Sequence, residues 1–80
     1  MNIKLISGGW FQKTKEEQAD ILHQLQLGLM VDMEMLDIEY DILFNKIKLL
    51  QVHAEAQEDY ESASLLGELY KNLEKEINGV

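Results

Sequence analysis

Leucine stands at every seventh position from Leu22 through Leu29, Leu36 and Leu43 to Leu50, in a chain of 80 residues that contains no proline. A spacing of seven brings a residue back to nearly the same side of an α-helix after two turns, so this run demands a helical apolar stripe. With these leucines at the d position, the a positions are Ala19, Gln26, Met33, Tyr40, Ile47 and Ala54. Such a pattern is the seam of a coiled coil or bundle. It marks Leu22, Leu29, Met33, Leu36, Tyr40, Leu43, Ile47 and Leu50 as the expected oligomer or partner interface. Leu25, Met30 and Phe44 at the flanks make the surface wider than a two-stranded zipper needs.

Turned by half a revolution, the same helix carries a second stripe of Val31, Met35, Ile38, Ile42 and Leu49. Acidic and polar ridges separate the two, with Glu34, Asp37, Asp41, Asn45 and Lys48 on one side and Asp32, Glu39 and Lys46 on the other. A helix apolar on two opposite faces sits between two partners, of which one can come from its own chain. Thr14 followed by Glu17 forms a capping box, so a long helix is expected over 14–56. Gly28 is the one position at which that helix could break, since glycine costs about 1 kcal/mol against alanine in a helix interior. Glu58-Asp59 then caps a last helix over 59–78, whose apolar face is Ala63, Leu66, Leu69, Tyr70, Leu73 and Ile77. Ahead of the capping box, residues 1–13 read as an extended arm, a turn at Gly8-Gly9 and an aromatic anchor at Trp10-Phe11. The expected fold is all-α and a single domain over 1–80: an antiparallel α-hairpin or three-helix unit with a short extended N-terminal segment.

A chain this short buries only about 60 to 65% of its unfolded surface, so its own core is marginal. It has no cysteine to form disulfides or zinc–thiolate staples, which leaves oligomerisation as the means of adding stability. Fifteen acids against seven lysines, with no arginine, give a net charge of −8. That sign opposes nucleic-acid phosphates and anionic membranes, so neither is expected as a partner. The apolar stretch near the start is too short for a signal sequence or a membrane span, and a cytoplasmic setting in a bacterium or phage-infected cell is expected.

Residues 54–68, with Ala54, Asp59-Tyr60-Glu61, Ala63, Leu66 and Glu68, resemble the UVR motif, the helical hairpin of bacterial excision-nuclease subunits and of some Clp ATPase partners. The likeness extends over residues 47–77. It implies a helical hairpin that mediates protein contacts. Gly67 stands where the family usually has arginine, Ser64 replaces the second of its paired alanines, and Gln51 occupies the place of an upstream methionine.

No pattern assembles a catalytic centre. Ser7, Ser62 and Ser64 have no histidine nearby in sequence, and a nucleophile needs a base held beside it. Asp20 and His23 share a helical face, but a bundle metal site needs several more inward carboxylates. Neither metal nor cofactor is therefore expected. The function expected is a non-enzymatic interaction or adaptor module that binds copies of itself, as a homodimer or larger, and another protein. An alternative of a different class is an acidic inhibitor that imitates nucleic acid through Asp32, Glu34, Asp37, Glu39 and Asp41.

Overall fold

The structure, a computed structural model, describes residues 3–78. Among these the fold is all-α: α1 spans Ile3–Ser7, a 3-10 turn spans Trp10–Gln12, α2 spans Lys15–Leu36, α3 spans Tyr40–Ala56 and α4 spans Tyr60–Asn78. The hairpin expected from the sequence is α3 and α4, packed along their lengths. Around it, α4 also meets α1, the 3-10 turn and α2, so the last helix is the centre of the molecule. Its residues Leu65, Leu66, Leu69 and Leu73 are almost fully enclosed, and Ser62 and Ala63 are buried with them.

The expected arm departs from extended geometry. Ile3, Ile6, Ser7 and Trp10 are spaced i, i+3, i+4 and i+7, so one turn of helix followed by a 3-10 turn puts all four on the side of α4. Gly8 and Gly9 make the turn between them, and Gly9 has a left-handed φ of 72°. Trp10 is buried, as an anchor should be, and its carbonyl accepts a 2.8 Å bond from the Gln18 side chain. A second tie is polar. Ser7 Oγ lies 2.7 Å from Ser62 Oγ, and Ser62 donates to Asp59 Oδ2 at 2.7 Å.

The capping box at Thr14 and Glu17 is formed in both directions, at 3.1 Å each. Helix α2 runs through Gly28 without a break, and that glycine has open space around it. The single helix expected over 14–56 is instead two, because the chain turns at residues 37–39. Asp37 adopts a left-handed φ of 52°, and the Ile38 N–H reaches back to the Met33 carbonyl at 3.0 Å. This is a Schellman stop, in which Ile38 also packs toward the core that Met33 enters. Charge acts in both directions at this position: the break leaves Glu34 and Asp37 at the negative C-terminal end of α2, which opposes it, while two other effects favour it. A continuous helix would stack Glu34, Asp37 and Asp41 at i, i+3 and i+7, all of one sign. Breaking it places Glu39 and Asp41 at the positive N-terminal end of α3.

A second Schellman stop ends α3, with Glu58 at φ 58°, its N–H on the Glu55 carbonyl and the Asp59 N–H on the Ala54 carbonyl. Asp59 then serves the next helix, since its Oδ1 accepts from the Ser62 N–H at 3.3 Å. Its pKa is held below the ordinary carboxylate value, chiefly by the Ser62 hydroxyl. Further along the hairpin from that turn, a side chain at Gly67 would begin only 2.9 Å from Gln51 Nε2. Gly67 and Gln51 therefore face each other between α3 and α4.

Candidate functional site

The break redistributes the heptad. In α2 the inward line is Leu22, Leu25, Leu29 and Met33, and in α3 it is Leu43, Ile47, Leu50 and Ala54. Each line advances eleven positions from its first residue to its last, close to three turns of a straight helix, whereas a strict heptad drifts by about 20° per repeat. Of the interface expected from the sequence, Leu22, Met33, Leu43 and Ile47 are buried in the chain's own core, and Leu29 and Leu50 are half-buried against it. Leu36 is 68% exposed and Tyr40 42%, as they flank the turn at residues 37–39. The seam is thus largely an internal contact, which corrects its assignment to a partner.

The second stripe meets solvent. Val31, Met35, Ile42 and Leu49 are all exposed, while Ile38 alone turns inward at the Schellman stop. On α3 this stripe has a regular form: Ile42, Asn45, Leu49, Val52 and Ala56 follow steps of three and four on the face opposite the core. All five are exposed, Leu49 by 71%. Leu27, Val31 and Met35 form a shorter exposed line on α2.

Charged side chains border the α3 face. Asp41, Lys48 and Glu55 recur at intervals of seven on one edge, and Lys46 with His53 on the other. Lys48 is held, because its Nζ sits 5.1 Å from the centroid of the Tyr70 ring on α4, in cation–π contact. Tyr70 in turn leans on Phe44 at a centroid distance of 5.0 Å. These contacts brace α3 against α4 beside one edge of its outer face.

A cavity of about 310 Å³ opens where α1, the end of α3 and the start of α4 meet, lined in part by Lys4, His53, Asp59 and Ser62. The Ser62 hydroxyl and the Asp59 carboxylate are engaged with each other, and Ser62 with Ser7, so the polar groups here fasten α1 to α4. Asp20 and His23, on the same exposed side of α2, gather no third ligand, and among the described residues no three His, Asp or Glu side chains are placed to hold a metal ion. No helix among the described residues is long and apolar enough to cross a membrane. No family profile, curated protein or solved structure matches the chain.

Proposed function

We propose that this chain is a non-enzymatic protein-interaction module, active in the cytoplasm, whose contact surface is the outer face of α3. The observation that carries the reading is the exposure of Ile42, Leu49 and Val52 at coiled-coil spacing on a helix whose opposite face is already buried. Large aliphatic side chains in a row, rimmed by charge, are what a helix-recognising partner buries. The resemblance of residues 47–77 to the UVR hairpin supports the same role, since hairpins of that family mediate protein contacts. The imitation of nucleic acid is less well supported, because the turn at residues 37–39 divides its acids between two helices.

The test is photo-crosslinking in the cell that makes the protein. A photoreactive side chain at Ile42 or Leu49 should give discrete protein adducts, and one at the exposed Glu74 of α4 should not. Equal, diffuse labelling from all three positions, or none from α3, removes the proposal.

A further inference from the structure

We infer that the outer face of α3 is occupied by the same face of a second copy, the two helices lying parallel and in register. The inference rests on the reading of that face as a contact surface and names its occupant.

The first argument is area. The chain exposes 5799 Å², whereas a compact monomer of 9.3 kDa exposes about 5,000 Å². The excess, roughly 800 Å², is one partner's share of a standard interface. Its radius of gyration agrees, at 12.4 Å against about 11.6 Å for a compact chain of this length. The excess belongs to the whole chain, and the outer face of α3, with Ile42, Leu49 and Val52 exposed in one row, is a part of it that a second copy can cover.

The second argument is self-complementarity. Parallel and in register, Ile42, Leu49, Val52 and Ala56 each meet their own counterpart, which closes four apolar layers. Asn45 meets Asn45 of the partner subunit, and each amide supplies both a donor and an acceptor. A single polar layer of this kind fixes register in parallel pairs. At the rim, Asp41 lies five residues before Lys46 of the partner subunit, the spacing at which parallel helices exchange charges, and symmetry makes this contact twice.

The antiparallel arrangement that fills the same layers sets like charges together: Lys46 on Lys46, Lys48 on Lys48 and Asp41 on Glu55. It also presses Asn45 onto Leu49. Sliding it by a heptad relieves the charges but leaves Ile42, or Leu49 and Val52, beyond the end of the opposing helix. Charge and layer completeness both select the parallel pair.

The chain has no cysteine, so single-cysteine variants report geometry cleanly. In the parallel pair, Ile42→Cys and Ala56→Cys should each form a self-disulfide under mild oxidation. In the centred antiparallel pair, two copies of residue 42 are roughly 15 Å apart along the axis, beyond the reach of about 7 Å between Cα atoms. There a mixture of Ile42→Cys with Val52→Cys would cross-link instead. Sedimentation of the unmodified chain should give twice 9.3 kDa, and Leu49→Glu, at an exposed site, should keep the helical spectrum while weakening association about a hundredfold. Asp41→Lys should weaken it about tenfold, and adding Lys46→Asp in the same chain should restore it. A monomer at 100 µM, about a hundredfold above the micromolar weak end of standard-size interfaces, overturns the inference, as does cross-linking only in the mixed pair or a charge reversal without rescue. If the chain is monomeric while photo-adducts with other proteins persist, the pairing falls and the interaction module stands; if there are no adducts either, both fall.

Discussion

Leu36 and Leu43 are one heptad apart in sequence, and their replacement by alanine separates a folded core from an intermolecular zipper. Leu43 is only 8% exposed and lies in the contact between α3 and α4. Leucine to alanine removes three carbons, worth about 2.4 kcal/mol at 0.8 per methylene, and the cavity left behind raises the cost to about 2.5–4 kcal/mol. Leu36 is 68% exposed and closes no cavity; a third of the same transfer energy is about 0.8 kcal/mol, so its loss should cost less than about 1 kcal/mol. An 80-residue domain has roughly 4–12 kcal/mol in all. Leu43→Ala should therefore lower Tm by about 10 °C or more, and Leu36→Ala by roughly 5 °C or less. The assay is thermal and urea unfolding followed by circular dichroism, repeated over a range of protein concentrations so that mass action is separated from folding. Equal losses for the two variants would refute the turn at residues 37–39 and restore the continuous seam.

Three further outcomes follow from the joints of the fold. Ser62→Ala leaves the Ser7 hydroxyl buried without its partner and should cost about 1–3 kcal/mol, while adding Ser7→Ala should cost little more; additive losses in that double-mutant cycle would mean that the two hydroxyls do not interact. Glu58→Gly relieves a left-handed backbone and should gain about 0.5–1 kcal/mol, read as a higher Tm, with Asp37→Gly gaining less because aspartate tolerates that conformation better; no gain at Glu58 counts against the Schellman stop. The pKa of Asp59 is lowered mainly by the Ser62 side chain and that of Glu17 mainly by the Thr14 backbone N–H. Stability from a depressed carboxylate is present above its unfolded pKa and is lost as pH falls through the folded one, so the chain should weaken from about pH 4 downward. Asp59→Asn keeps a capping side chain and should flatten that acid loss, and identical Tm changes for both proteins between pH 7 and about pH 3 would show that Asp59 is not responsible.

The sequence exposed the helices and both stripes because their spacing is a property of neighbouring residues. Thr14 and Glu17 marked a helix start correctly for the same reason, and Trp10 was legible as an anchor from its bulk. The turn at residues 37–39 was hidden because the leucine repeat continues across it, with Leu36 and Tyr40 in phase on either side, and the left-handed residue is an aspartate rather than the glycine that usually announces such a stop. Gly28, the obvious suspect, lies quietly inside α2. The inward fate of Leu22, Met33, Leu43 and Ile47 could not be read from periodicity, which says that a face is apolar and not what covers it. On α4, the apolar spacing marks Ala63, Leu66, Leu69 and Leu73 but not Ser62 and Leu65, whose burial exists only because α4 is surrounded. The outer α3 face was visible in part, as Ile42 and Leu49, while Val52 and Ala56 joined it only once α3 had its own axis.

The central position of α4 has a consequence for how the protein comes into being. Synthesis proceeds from α1 toward α4, so the helices that need a common support are made before it. From Leu22 to Leu73 the ribosome takes roughly 3 to 10 s at ordinary rates. Through that interval the core that holds Leu22, Met33, Leu43 and Ile47 lacks its α4 side, and the contacts among the earlier helices cannot substitute for leucines some 20 to 50 residues away. The nascent chain is thus a sequence of amphipathic helices awaiting α4, with its inward apolar faces incompletely covered during those seconds.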